Sequence, residues 1–405
     1  MSNTLSRRQM LRRGALLAGG LPFAAGLLDQ AQAAPNGHLP PSREVTGIAD
    51  ITGTGELMAP AYSEKGIALR APAELKARLF ANENPFGPSE RAKTAILNAL
   101  PTSYQYPFMH IRDLVKMLAD HDGLAPENYM MAAGSSCLLS AAALCFSKPG
   151  GNIISGDPSY EDLPTRATLV NEKWIKVPVT SEYKLDLDAM EKAIDGNTGL
   201  VYICNPNNPT ATVLDADKLR AFCERVSKRV TVFVDEAYID YLDDPAGMSM
   251  MSSVKAGQNI IVARTFSKVY GFAGLRVGYV AAQPSMITRL GAYNEGMISL
   301  SAPSVMAALA SFQDKDYMRG VLEKTTASKS FLYETLKKEG YDYIPSSANF
   351  VLFPIKMEGK HFTDEMMKRG VGVRFWKFNN KEWCRVSIGR MDEMEAFAAA
   401  FKELS

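Results

Sequence analysis

The sequence predicts an α/β fold: a mainly parallel sheet sandwiched by helices, with a smaller α+β domain after it. Three observations lead there. Between residues 91 and 300, short apolar runs alternate with helical patterns. Most of the runs are apolar at successive positions, as strands buried on both faces are. After residue 301 the pattern changes to longer helices around two β-like segments, near "SANFVLFPI" and "CRVSIG", and ends in the helical "MDEMEAFAAAFKEL". A chain of 405 residues exceeds what one core usually supports, so two domains are expected: a large one over 91–300 and a smaller one over 301–405, which also takes part of 34–90.

The N-terminus reads differently. "SRRQMLR" carries the paired Arg7 and Arg8, a weakly apolar stretch runs from Gly14 to Leu28, and "AQAA" offers a small-residue cleavage site after Ala33. Residues 1–33 therefore resemble a twin-arginine export signal, which implies the twin-arginine translocation machinery as a partner and a periplasmic or otherwise exported protein. From Ala34 to about Pro60 the chain is rich in Pro, Gly, Ser and Thr without apolar periodicity, as an extended arm would be.

Within the large domain, "AKTAILNAL", "IRDLVKMLADH", "SSCLLSAAALCF" and "DADKLRAFCERVS" have helical spacing. "NIIS", "GLVYIC", "VTVFV" and "NIIVA" read as strands. With 45 basic and 44 acidic side chains there is no net field to attract nucleic acid or an anionic membrane, so a small-molecule partner is expected. The five cysteines and four histidines are scattered without metal-ligand spacing, and no metal site is expected.

Three of these strands run straight into polar motifs: "GLVYIC" into "NPNNPT", "VTVFV" into "DEAY", and "NIIVA" into "RTFSK". If the strands are parallel neighbours, an amide, a carboxylate, a phenol, hydroxyls and a lysine meet at one edge of the sheet, where open α/β sheets bind ligands. That set is what pyridoxal 5'-phosphate requires. Its aldehyde needs an amine, which Lys268 offers, with a pKa lowered by desolvation and cationic neighbours. Its ring nitrogen needs a buried carboxylate, and Asp235 is the candidate. Its ring oxygen needs donors, available from Asn208 and Tyr238. Its phosphate needs hydroxyls, amides and a fixed cation. Thr265, Ser267 and Arg276 supply these, together with Ser135 and Ser136 at the start of a helix. Gly271 and Gly274 let the intervening backbone turn closely.

From about Leu79 onward, "ANENPFGPS", "YQYP", "GDPSY", "NPNNPT", "DEAY", "SKVYGFAGLRVGY" and "RVSIG" together resemble the class I/II aminotransferases of fold type I, with most likeness to the histidinol-phosphate aminotransferase branch. The resemblance implies a homodimer. It also implies that Tyr160 stacks on the pyridine ring, that Tyr106 reaches the cofactor phosphate of a neighbouring subunit, and that Arg385, with Arg374 as a second clamp, holds the anionic group of the substrate. Two departures stand out: Ala211 follows "NPT" where family members usually carry Gly, and Ser135 and Ser136 replace acidic residues frequent in that branch.

The expected activity is transfer of an amino group between an amino acid or related amine and a 2-oxo acid, with Lys268 moving the proton at the substrate α-carbon. A decarboxylase or lyase on the same fold would use the same cofactor residues, a periplasmic transaminase modifying an exported peptide product is a further form of the activity, and a cofactor-binding module without turnover is another alternative. No G-x-G-x-x-G opens the first βα unit, which argues against a dinucleotide-binding enzyme.

Overall fold

The structure is a computed structural model that describes residues 75–405. The expected export signal and the extended arm lie outside the described residues. The strands are β1 Ala77–Arg78, β2 Tyr129–Ala132, β3 Asn152–Asp157, β4 Lys173–Pro178, β5 Thr198–Cys204, β6 Thr231–Asp235, β7 Ile260–Thr265, β8 Gly278–Ala281, β9 Phe350–Ile355, β10 Val371–Gly372, β11 Arg374–Phe378 and β12 Lys381–Ser387. Seven of them form one sheet in the order β2-β8-β7-β6-β5-β3-β4. All neighbours are parallel except β8, which runs antiparallel to both β2 and β7. The mainly parallel sheet expected from the apolar runs is therefore present, and its three motif-bearing strands, β5, β6 and β7, are adjacent.

Pleating sorts each strand's side chains onto two faces. Val201, Ile203, Val232, Val234, Ile260 and Val262 pack in one cluster, with the helices Phe108–Asp122 and Ala302–Phe312. Leu200, Tyr202, Phe233, Ile261 and Ala263 pack in the other, with the helices Ser135–Phe146 and Asp162–Thr168. Both faces are buried, which is why these strands read as continuous apolar runs.

A second core surrounds the antiparallel sheet β11-β12-β9 and the C-terminal helix Met391–Lys402. Ala77 and Leu79 join it, with β1 pairing in parallel to β10. The change of core falls inside the helix Lys315–Lys338: Val321 packs with the large sheet, whereas Leu332 and Leu336 pack with the small one. Ala302–Phe312, which the change of sequence pattern assigns to the smaller domain, is thus covered by the large-sheet core. Among the described residues, no helix is long and apolar enough to cross a membrane.

Candidate active site

The ends of β5, β6 and β7, the turn after β7, the start of helix Ser135–Phe146 and strand β12 place the polar residues. Asp235 closes β6, opposite Cys204 of β5, so it lies on the same face as Tyr202, two residues back on that strand. The carboxylate is 2% exposed. Its Oδ2 accepts a 2.9 Å hydrogen bond from the Tyr202 hydroxyl, and its Oδ1 accepts one from the Ala237 amide at 3.1 Å. Burial pushes its pKa up to about 6, while the Tyr202 and Ala237 hydrogen bonds hold it from going higher. Nothing in the sequence marks Tyr202, which sits inside an apolar run and reads as core; only the register with Asp235 reveals its use.

Lys268 lies in the turn that leaves β7. Its ammonium group stands 5.3 Å from the centre of the Tyr238 ring and donates to the Asn82 carbonyl at 3.3 Å. Burial, and next the positive charge of Arg385, lower its pKa to about 8. At neutral pH a usable fraction is therefore the free amine. Tyr238, 4% exposed, accepts a hydrogen bond from Asn82 Nδ2 at 3.0 Å. Asn82 in turn is bound through its amide and Oδ1 by the Ser387 hydroxyl. Asn82 belongs to "ANENPFGPS", but no spacing along the chain says which chemistry it serves; its positive φ of 52° is the local conformation that turns it into the site.

Arg385 of β12 is 2% exposed. It donates to Asn208 Oδ1 at 2.7 Å and to the Phe80 carbonyl at 2.8 Å, with its guanidinium 4.5 Å from the Trp376 ring centre. The contact to Oδ1 leaves the Asn208 Nδ2 group to donate elsewhere. Arg374 stands opposite Arg385 in the β11-β12 ladder and is 4.8 Å from the same indole. Trp376, which no sequence motif marks, thus carries both guanidinium groups.

The third group gathers around Arg276, which has a positive φ of 56°. It donates to Ser267 Oγ at 3.2 Å and to the Ala133 carbonyl at 3.5 Å, tying the β7 turn to the loop before helix Ser135–Phe146. Thr265 donates to Ser267 Oγ at 2.9 Å, and Ser135 and Ser136 form the first turn of that helix, both half-buried. Gly134 has a φ of 84°, and a Cβ there would lie 2.0 Å from Arg276 Nη2. Gly271 is also required, with a φ of 75° and a Cβ that would meet the Gly87 carbonyl at 2.4 Å. Gly274, grouped with it from the sequence, has open space where a Cβ would go and no positive φ, so neither close approach nor backbone conformation requires glycine there.

Tyr160 is half-buried against the cluster that holds Tyr202, at the C-terminal end of β3. Tyr106 is apart from all of these: it is 68% exposed and stacks on Phe108 at 5.5 Å. Ala211 has a φ of 58° and a wholly buried methyl packed with Tyr238 and Phe350. The family's glycine at that position matches this left-handed backbone, and the alanine carries a strain of about 1–2 kcal/mol.

A lysine with a lowered pKa, a buried carboxylate fixed by two donors, and a helix N-terminus tied by an arginine to the Ser267 hydroxyl, which Thr265 also bonds, define a pyridoxal-phosphate site. The fit is close at the phosphate end, where Gly134 leaves room for Arg276 that any side chain would fill. The family described as aminotransferase class I and II matches residues 76–401. The chain belongs to that family and is a pyridoxal-phosphate-dependent aminotransferase.

A histidinol-phosphate aminotransferase from Moorella thermoacetica is 34% identical over 329 residues, which span 81% of this chain and 85% of that protein. An aromatic amino acid aminotransferase from Mycolicibacterium vanbaalenii is 34% identical over 322 residues, 79% of this chain and 90% of that one. The crystal structure of a histidinol-phosphate aminotransferase from Sinorhizobium meliloti in complex with pyridoxal-5'-phosphate superposes with a TM-score of 0.76 at 27% identity, covering 82% of this chain and 92% of that chain.

Proposed function

We propose that this aminotransferase works outside the cytoplasm on an amino acid or amine that carries an anionic group, and passes the amino group to a 2-oxo acid. The observation that carries the substrate class is the buried Arg385, set beside Arg374 across a shared indole at the site that also holds Lys268. A guanidinium so placed binds a carboxylate in two parallel hydrogen bonds. Two relatives are named for histidinol phosphate and for aromatic amino acids, so donors of those two chemistries head the screen.

When bound, the cofactor supplies an electron sink next to the substrate α-carbon. The residues of the chain do the rest. Asp235, as the anion, would keep the ring nitrogen protonated. Asn208 and Tyr238 would hold the ring oxygen, and Tyr160 would cover the ring. Arg276, Ser267, Thr265 and the amides at Ser135 and Ser136 would hold the phosphate. Lys268, whose pKa is lowered to about 8 by burial and by Arg385, is the residue that would hold the cofactor's aldehyde carbon and, as the amine, would take the α-proton and return it. Arg385 and Arg374 orient the substrate so that this proton faces Lys268.

Export rests on the order of features in residues 1–33: twin arginines Arg7 and Arg8, an apolar stretch, then a small-residue cleavage site. A dimer is supported by the exposed side chains Leu97, Leu100, Tyr104, Tyr106, Met109 and Ile298, each more than half exposed, which are too many large apolar groups for an uncovered surface. Exported peptides with an amino-bearing side chain form a substrate class that matches an extracytoplasmic enzyme.

The test is a single-turnover screen. Holoenzyme mixed with each amino donor, without an acceptor, should release one equivalent per chain of the corresponding oxo compound, a 2-oxo acid from an amino acid or an oxo phosphate ester from histidinol phosphate, and the cofactor-loaded Lys268→Ala variant should release none on the same timescale. Release of carbon dioxide in place of the oxo acid would sink the transfer reading. Replacing Arg7 and Arg8 by lysine should retain the protein in the cytoplasmic fraction, and an unchanged distribution would sink the export reading.

A further inference from the structure

The strands that present Asp235 and Lys268 on one face have a second polar face behind them. Glu236 is the residue after Asp235, is 2% exposed, and belongs to the opposite side. It accepts hydrogen bonds from the Ser249 hydroxyl at 2.8 Å, the Met250 amide at 2.7 Å and Arg264 Nε at 3.0 Å. Arg264 also donates to Ser249 at 2.7 Å and lies 3.7 Å from Asp122, whose other oxygen accepts from Tyr129 at 2.9 Å. These charges satisfy one another, and a ring of aromatic side chains, Phe266, Tyr270, Tyr279 and Phe312, stands beside them.

This assembly walls a cavity of about 440 Å³. Within it Asp240 and Tyr270 differ from the rest. Tyr270 is 5% exposed, and among the described residues no group hydrogen-bonds its hydroxyl or the Asp240 carboxylate. Asp240 is half-buried and lines the cavity with Tyr270, so both polar groups are presented to whatever fills it, water or a ligand with a matching donor. The positive groups nearest Asp240 are Arg264, already held by Glu236, and Lys315 and His121 at the mouth. Lys315 is spread over the Phe312 ring at 4.7 Å, and Lys255 is exposed at the same rim.

We propose that this cavity is a second small-molecule site, for a free α-amino acid, whose ammonium group is received by Asp240 and Tyr270 and whose carboxylate lies toward Lys255 and Lys315. The sign of charge argues for it: a carboxylate beside aromatic faces suits an ammonium group, and the ammonium-bearing rim suits the carboxylate attached to the neighbouring carbon. The volume is that of a pocket for such a molecule. A purely anionic ligand would set its charge against Asp240, and a purely cationic one would have to pass the lysine rim. The site is separate from the one that holds the cofactor, but the two share their walls: Phe266 lies two residues before Lys268, and Asp240 two residues after Tyr238. An occupant therefore bears on the backs of the segments that carry the chemistry, and amino-acid binding is expected to alter turnover at the front.

Equilibrium dialysis of the holoenzyme with α-methylphenylalanine, which has no α-proton to lose, counts the sites without turnover. Wild type should bind two equivalents per chain. Asp240→Asn and Tyr270→Phe should each weaken one of them tenfold or more and spare the other, while Arg385→Leu should remove the other and spare the first. A Lys255→Glu, Lys315→Glu double variant, altered only at the surface, gives the same answer if the floor variants fail to fold. One equivalent that Arg385→Leu removes and the floor variants spare, or any stoichiometry that neither the floor nor the rim variants weaken, overturns the proposal; one equivalent that the floor variants weaken and Arg385→Leu spares supports it and counts only against binding of this analogue at the front. The release of 2-oxo acid by the same holoenzyme is read separately, so loss of the transfer reading and loss of this one are told apart.

Discussion

The Tyr202 hydroxyl donates to Asp235 Oδ2 at 2.9 Å, wholly inside the protein, and it is the only side-chain donor to that carboxylate among the described residues. In the proposed reaction Asp235 serves as an anion, and its pKa stands at about 6 because burial raises it and this hydrogen bond restrains it. In Tyr202→Phe the restraint is gone, so the pKa moves further up and the anion is lost at a higher pH. A hydrogen bond to a charged group is worth about 1.5–3 kcal/mol and one pKa unit about 1.4, so the acid limb of kcat/KM should move toward alkaline pH by about one unit. Activity near pH 9 should stay within a few-fold of wild type. An acid limb that does not move would mean that a different group sets it.

Lys268 and Arg385 are coupled through charge: repulsion from the guanidinium is the largest contribution after burial to the lowered pKa of about 8. Only the neutral amine attacks an aldehyde. In cofactor-free protein the rate of pyridoxal phosphate capture, followed by absorbance, should rise about tenfold per pH unit below 8 and level off above it. Arg385→Leu should move that inflection upward while leaving the plateau within a few-fold. An inflection that stays in place in the variant would show that Arg385 acts on the substrate alone.

The Arg276 guanidinium fills the space that a side chain on Gly134 would take. A methyl group on Gly134 would lie 2.0 Å from Nη2 in a backbone with a φ of 84°, so Gly134→Ala must displace the arginine as well as strain the loop. The strain alone costs about 1–2 kcal/mol, measurable as a lower denaturation midpoint of the cofactor-free protein. The displaced cation should weaken cofactor binding by tenfold or more in an equilibrium titration. A variant with normal cofactor affinity would remove Arg276 from the phosphate site.

Much of this site was legible because parallel strands buried on both faces announce themselves as apolar runs, and the residues just past the end of such a run sit at the ligand-binding edge. Lys268, Asp235, Asn208 and Tyr238 are singled out that way, and they stand at or past the ends of the adjacent strands β5, β6 and β7. Strands β2 and β8 are not, since "YMMA" and "GYVA" are short and bounded by other motifs, and β4 lies at the sheet edge with a mixed exposure pattern. Tyr202 and Trp376 were missed for a common reason. Each acts across a ladder on a residue from another strand, Asp235 or Arg385, and no spacing along the chain encodes a register between strands. Asn82 acts over a still longer separation, through Ser387 and Tyr238.

Tyr106 and Lys268 test the quaternary reading together. Tyr106 is 68% exposed within its own chain, with its ring against Phe108 and, among the described residues, no hydrogen bond to Arg276, Ser267 or Thr265, which suits a residue that serves the cofactor phosphate of another subunit. In a dimer arranged so, each site combines Lys268 of one chain with Tyr106 of the other. Lys268→Ala and Tyr106→Ala should each be impaired alone. Mixed after reversible dissociation, they form hybrid dimers in which one site holds both substitutions and the other holds neither. With random reassortment half of the dimers are hybrids, so about a quarter of wild-type activity should return. The time course of recovery should follow subunit exchange measured by native mass spectrometry. Exchange without recovery would place Tyr106 outside the partner's site and leave it as part of the contact surface alone.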